Sequence, residues 1–556
     1  MTRKLLLSLI ALCAIFTISA QKWGAYTLIA PKTTTATLKD TLGTTYHSWS
    51  LTGTTAYSSY LLPDRILLRT ISISPTNSYF TTGGVTGGLQ EVDWDGKVLW
   101  SMTYSSSTYL LHHDISPLPN GNILAISYDL RTSADATAAG SSSAISIQSE
   151  KIIEIQPVGT SSYNIVWEWK LWDHLCQNNS SSKSNYVSSI SANPQLMNIN
   201  YLTQKDWMHM NGVDYNPYLD QITFSSHNFN EIYVIDHSTT TAEAATHTGG
   251  NSGKGGDFLY RWGNPAAYSA SGTADFNIVH DAHWVTPECP YANYLVGFNN
   301  KGVSSSKVAI DMISPPYDGY NYYTTSGVYG PSSYTYRFTT SYTSLDEGNS
   351  QQLPNGNSII TVMTGNIYEV NASGTLLKSW SAGGTISKAF RYSKCYVDGT
   401  EPTTPTVTES NGILSSSVTG SSYQWYKNNY KIAGANSSTY TPDETAKYAV
   451  QIVESHDCLS SISDAITFVY STAAVANTSY SQISMYPNPC KDVLNITGCE
   501  DFPESKLVIY NLTGKEISNQ TATSTYNLNS LSNGVYIACI MVGNDIVLRQ
   551  KLTVIK

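Results

Sequence analysis

Histidine is scarce in this chain, 11 of 556 residues, yet it recurs at related places. Residues 112–114 read His-His-Asp, 209–211 read His-Met-Asn and 280–283 read His-Asp-Ala-His, each ahead of a turn and an apolar strand. His227 follows in Ser225-Ser226-His227-Asn228. Neutral imidazole is a competent nucleophile and acid–base group near neutrality, since its unperturbed pKa is about 6.5. Several such rings in one pocket could accept a transferred group, protonate a leaving oxygen and neutralise developing charge. His-His-Asp and His-Asp-Ala-His could instead ligate a metal, but no metal and no cofactor is expected. The remaining histidines, His47, His174, His237, His247 and His456, read as solvated loop or outer-strand residues.

Distant segments can aim their side chains at one place only if the elements carrying them repeat. Turn-plus-strand phrases recur at Pro63–Leu68, Pro119–Leu124 and Pro354–Ile359, and these are taken as the inner strands. A second strand follows, as in Gly88–Asp93, Lys151–Ile155, Glu231–Asp236 and Asn366–Val370, then a strand closing on Trp100, Trp169, Trp262 or Trp380. Asp93-Trp94-Asp95-Gly96 and the Asn-Gly pairs supply the positive φ that tight hairpins need. Units start near 63, 119, 217, 290 and 354, with an insertion at 171–205 and a partial unit at 24–50. This spacing predicts an all-β chain whose residues 21–400 form a six-bladed β-propeller. The tryptophan series reads as packing between blades, whereas Trp207 and Trp284 are candidates for lining an aromatic pocket.

The flanking segments read differently. Residues 1–20 have the basic start, short apolar run and Ile18-Ser19-Ala20 ending of a secretory signal peptide. No later run is long enough to span a bilayer. Residues 401–405 are a Pro/Thr linker. Residues 406–470, with Trp425 in one strand and Tyr448 in a later one, predict an immunoglobulin-like β-sandwich. Residues 478–556 predict a further small β-sandwich. Seven cysteines outside the signal allow one or two disulfides, with Cys490 and Cys499 nearest in sequence. A net charge of −10 argues against a nucleic-acid partner.

The motifs Ser484–Cys490, Leu507–Lys515, Leu531–Tyr536 and Lys551–Lys556 resemble the C-terminal sorting domain of the type IX secretion system of Bacteroidota. That resemblance implies export through this machinery to the outer cell surface or the medium. Residues 21–400 resemble the arylsulfotransferase (aryl-sulfate sulfotransferase) family. The phrases that carry it are Asp93–Gly96, His112–Ile115, Asp206–Asn211, Ser225–Ile232, His280–Trp284 and Leu353–Asn357. The family resemblance implies a six-bladed propeller that moves a sulfuryl group from an aryl sulfate donor to a phenolic acceptor. A sulfated histidine is the implied intermediate, and no nucleotide donor is used. On this chain it points to His280, His283 and His209 as catalytic. His113, His227, Asn211 and Arg69 are the implied substrate-binding residues.

The pattern breaks late. No histidine follows His283 within 284–400, so the late units cannot supply the family's nucleophile from there. Phe298–Gly302 also lacks a nearby arginine, for which Lys301 or Lys307 would substitute only as a point charge. The two expectations are therefore an exported arylsulfotransferase-like enzyme and, as the alternative, a catalytically inactive surface propeller that binds a glycan or sulfated aromatic ligand.

Overall fold

The computed structural model describes residues 23–75, 77–80, 82–455, 457–470, 483–498, 502, 504–511, 515–542 and 545–556. The signal peptide, His456 and Cys499 lie outside them. Among the described residues, 26–392 form six four-stranded antiparallel sheets. Their first strands are Thr55–Leu61, Tyr109–Pro117, Met210–Asn216, Val279–Trp284, Asn349–Gln352 and Ala389–Tyr392. Each touches the next in that order and the last touches the first, so they close a ring around a common axis. The closing sheet joins both ends of the region: Tyr26–Ile29 pairs with Ala389–Tyr392. This accounts for the partial unit at 24–50, whose missing strand comes from the far end of the ring.

The turn-plus-strand segments sit one position further out than expected. Leu67–Ser72, Ile123–Arg131 and Ser358–Val362 are second strands, and the strands before them, Thr55–Leu61, the histidine-bearing Tyr109–Pro117 and Asn349–Gln352, are innermost. A second strand has a neighbour on each side and is buried on both faces, so it reads as the more apolar run. The innermost strand turns polar groups to the axis and loses that signal.

Local chemistry fixes the hairpins. Asp93 Oδ1 accepts from the backbone N–H groups of Asp95 (3.0 Å) and Lys97 (2.8 Å), and Gly96 takes φ 87°. Outer-strand tryptophans then staple four of the six sheets to the next. The indole N–H groups of Trp49, Trp100, Trp169 and Trp262 donate to the carbonyls of Asp93, Ser162, Gly256 and Pro331, each in the following sheet or its connections. The expected packing role of this series is thus also a hydrogen-bonding one, which satisfies the buried indole polar group.

Residues 407–467 carry two further sheets, with Trp425 fully buried and 5.9 Å from the Tyr440 ring of the facing sheet. A disulfide joins Cys395 to Cys458 across a Cα–Cα distance of 5.6 Å. It ties the helix Lys394–Asp398, just after the ring closes, to this two-sheet unit. The C-terminal unit is compact by itself. Its sheets run 484–486, 493–497 and 525–527, and 516–521, 506–510, 534–542 and 545–554, around Leu494, Leu507, Ile540 and Leu552.

Candidate functional site: an imidazole cluster at the ring axis

Four of the innermost strands break register at similar places: between Thr55 and Ser59, Leu111 and Ile115, Met210 and Gly212, and His280 and His283. Such bulges re-aim side chains, and here they aim at the axis. His113, His209 and Asp281 at or beside these bulges have φ of 50°, 55° and 57°, left-handed conformations that the ring holds against their intrinsic cost.

The result is a chain of touching imidazoles. Ring centroids are 4.7 Å apart for His113 and His209, 5.0 Å for His209 and His227, and 5.7 Å for His227 and His280. Tyr57 packs edge-on against His113 at 5.0 Å. Of the sequence-predicted residues, His113, His209, His227 and His280 come together. His283 does not: its Nδ1 bonds the Asp281 carbonyl (2.8 Å) and carboxylate (3.2 Å), nearer the end of the strand. Asn211 is a clamp, donating to Val279 O and accepting from Ser225 Oγ (2.8 and 2.6 Å). Arg69 is buried on a second strand, where Gln90, Thr55 and the carbonyls of Thr52 and Gly53 take up its guanidinium.

The partners fix the protons. Asn300 donates from Nδ2 to Ser344 O and Glu347 O, so its Oδ1 accepts from His280 Nδ1 (2.8 Å). His280 Nε2 is then a lone pair, and it accepts a long 3.3 Å bond from Glu347 N–H. Asn228 likewise donates to Asp206 O and Trp207 O, so His227 Nδ1 is the donor at 2.8 Å and, in the neutral ring that burial favours, Nε2 carries the lone pair, 3.5 Å from the exposed Asp346 carboxylate. His209 Nδ1–H donates to the Asp206 carboxylate at 2.6 Å, so Nε2 is a donor only when the ring is charged.

Burial lowers the pKa of His113, His227 and His280, with neighbouring histidines adding to the effect. Burial also works to lower that of His209, but the hydrogen bond and charge of Asp206 outweigh it and the pKa ends above the ordinary value. His209 is the cluster's acid beside neutral neighbours. Behind His113 stand His112 (Nδ1–Nδ1 2.9 Å) and Glu150, whose Oε2 meets His112 Nε2 at 2.7 Å. Burial drives Glu150 and His112 to neutral forms. Glu150 Oε1 accepts from Met210 N–H, so the carboxyl proton sits on Oε2. The protons then run from Glu150 through His112 and leave His113 Nε2–H as a neutral donor.

Further along the strands the axis is charge-paired. Lys388 Nζ lies 2.6 Å from both Asp114 and Asp281 and is buried with them. The carboxylates also clamp the ring: Asp114, Asp214 and Asp281 accept from the backbone N–H of Val213, Trp284 and Ser350, each on the next innermost strand. Beyond Lys388, a cavity of about 420 Å³ is lined by Trp23, Tyr60, His283, Trp284 and Phe390. Trp284 therefore lines a pocket as expected, whereas Trp207 is fully buried against Phe229.

Sequence reasoning missed Lys388, Glu150 and Asn300. The residues Asp114 and Asp206 stood inside the quoted motifs without a role. Of the outer histidines, His247 is exposed as expected, but His237, His47 and His174 are not solvated. His237 sits between Asp220 (2.7 Å) and Glu154 (3.0 Å), His47 stacks on Trp94 at 3.6 Å, and His174 is fully buried.

The family described as Arylsulfotransferase (ASST) matches residues 48–314, and that described as Secretion system C-terminal sorting domain matches 484–555. The chain carries an arylsulfotransferase-family domain. The arylsulfotransferase match holds the four imidazoles and stops before the histidine-free sheet at 349–381. The sorting domain marks the protein for export to the cell surface or the medium and makes the secretion machinery its partner. Among the described residues no helix is long and apolar enough to cross a membrane.

No curated protein matches the sequence. Among solved structures, a protein of unknown function from Bacteroides caccae is 9% identical, with 66% of this chain and 98% of that one covered at a TM-score of 0.38. The Cps50 (Swd1) β-propeller domain of Myceliophteria thermophila is 9% identical, covering 71% and 93% at 0.31. AztD from Citrobacter koseri is 10% identical, covering 81% and 97% at 0.30. Likenesses this distant say nothing of the chemistry.

Proposed function

We propose that the arylsulfotransferase domain transfers a sulfuryl group from an aryl sulfate to a phenolic acceptor through His227, with His209 as acid and then base. The observation that carries this reading is the opposed displacement of two touching rings. His209 is pushed toward its charged form and His227 toward its neutral one, which divides acid from nucleophile. In the first half, His227 Nε2 attacks sulfur, the N–S bond forms and the S–O(aryl) bond breaks. The electron pair leaves on the phenolate oxygen, which takes the proton from His209 Nε2. In the second half the acceptor O–H returns a proton to neutral His209, its oxygen attacks sulfur and the N–S pair goes back to His227. The His113 Nε2–H would hold an equatorial oxygen. The nucleophile moves from the expected His280 and His283 to His227 because its side chain is 25% exposed, whereas His280 is buried and His283 is held by Asp281.

The test is a chromogenic aryl sulfate given with and without a phenol. Acceptor-dependent release of the chromophore, and a peptide containing His227 heavier by one sulfuryl group after donor alone, are expected. A mass gain on another residue overturns the assignment to His227. A second reading, ligand binding without turnover, rests on the buried arginines: Arg69, Arg261 and Arg391 are spent on Gln90, Glu231, Glu369 and carbonyls. Saturable binding of the aryl sulfate with no release of product would establish that reading instead.

A further inference from the structure

A second histidine cluster lies outside the ring axis. The chain leaving the sheet that begins at Tyr109–Pro117 turns through Leu171–His174. In the sheet that begins at Met210–Asn216, the connection before the last strand carries a short helix, Thr241–Ala244, and a run rich in glycine ahead of Asp257. These segments bring His174, His247 and Asp257 together, with one ligand atom from each all within 4.8 Å of one another. His174 is fully buried and stacks on Trp169, rings 4° from parallel.

Its hydrogen bonds define what fits between the three. His174 Nε2 lies 2.8 Å from the Ala244 carbonyl, which can only accept, so Nε2 carries the hydrogen. In a neutral ring Nδ1 is then a lone pair, and it faces Asp257 Oδ1 at 2.9 Å. The same oxygen lies 2.7 Å from His247 Nδ1. A lone pair and a carboxylate oxygen repel at that distance unless a cation sits between them, either a proton or a metal ion. An imidazole whose second N–H is pinned by a backbone carbonyl is the arrangement that orients a metal ligand. Gly256 leaves room for that pinned ring, since a Cβ there would lie 2.5 Å from His174 Nε2. The His247 side chain is 59% exposed and walls a surface groove, so one coordination position can stay open to water.

We propose that His174, His247 and Asp257 bind one divalent transition-metal ion, zinc by the character of the donors, and that the ion pins the glycine-rich 249–257 segment to the Leu171–His174 turn. Two imidazoles, one carboxylate and a water make a tetrahedral set. Ligand distances of about 2.0–2.2 Å require the donors to open by about half an ångström from their present separation, within reach of the exposed His247 side chain.

The experiment uses the full chain stripped with a chelator and titrated with Zn²⁺ by calorimetry, beside thermal melts with and without the ion. One site per chain, tighter than about 10 μM, and a melting point raised by zinc are expected. His247→Ala, on the surface, and Asp257→Asn should each weaken binding at least about tenfold and abolish the rise. A His209→Ala/His227→Ala double variant should keep both. Tetrahedral Co²⁺ absorption in the wild type that is lost in His247→Ala adds a readout independent of stability. Absence of a site in the wild type overturns the proposal. So does binding that survives His247→Ala and Asp257→Asn but vanishes in the His209→Ala/His227→Ala variant.

Discussion

His280 and His283 are three residues apart on one strand, yet they lie in different chemical regions of the ring. Toward the start of the innermost strands, imidazoles pack on imidazoles and their proton affinities are driven apart. Toward the end, His283 is matched to Asp281 beside Lys388, and the cavity walls mix aromatic rings with charged and hydroxylated side chains. Lys388 and its two carboxylates lie between the two. The lesson is that a histidine surrounded by carboxylates is satisfied, whereas one surrounded by other histidines must leave some of them neutral and one charged. Only the second arrangement divides acid from nucleophile.

The largest effect should come from removing the partition. Lys388→Met strands Asp114 and Asp281 as buried, uncompensated charges and should cost about 3–5 kcal/mol in denaturant unfolding. A triple variant that also carries Asp114→Asn and Asp281→Asn should recover part of it. Next, His209→Ala and His227→Ala should each lower kcat by about 100-fold or more while leaving the melting point near wild type. A loss in KM alone would place these rings in binding only.

The pH profile sharpens the contrast. Turnover requires His209 protonated, and its pKa lies above the ordinary value. It also requires His227 neutral, and its pKa lies below. Activity should therefore fall as pH drops through the lower value and as it rises through the upper one. Asp206→Asn should move the alkaline limb to lower pH and leave the acid limb in place; an unmoved alkaline limb means another group is the acid. The smallest effect is expected at the other end of the strands, where His283→Ala should change kcat less than about threefold, within the range of substitutions remote from the reacting atoms. A hundredfold loss there would reverse the comparison.

Much of the ring was legible because its turns are chemical. Asp93-Trp94-Asp95-Gly96 and Pro119-Asn120-Gly121-Asn122 bond their own backbone, and a tryptophan closes five of the six units, so repeat and strand count follow largely from local residues. Which strand is innermost was not legible, since apolarity peaks one strand out. Three of the four imidazoles stood at motif positions, and His227 in a phrase of its own. Lys388, 107 residues beyond Asp281, and Glu150, 38 beyond His112, become partners only when the ring closes. The separation of His280 from His283 depends on a bulge, one unpaired stretch in a ladder, which leaves no mark in composition.

The pairing of Tyr26–Ile29 with Ala389–Tyr392 bears on how the molecule comes into being. Lys388 immediately precedes that closing strand. A nascent chain released before Lys388 would therefore lack both the clasp and the ammonium group that reconciles two acidic side chains in the interior. It would expose a raw sheet edge open to other chains. Nothing resembling the finished pocket can exist on a fragment, so synthesis of the propeller must run to its end before there is anything to protect or use.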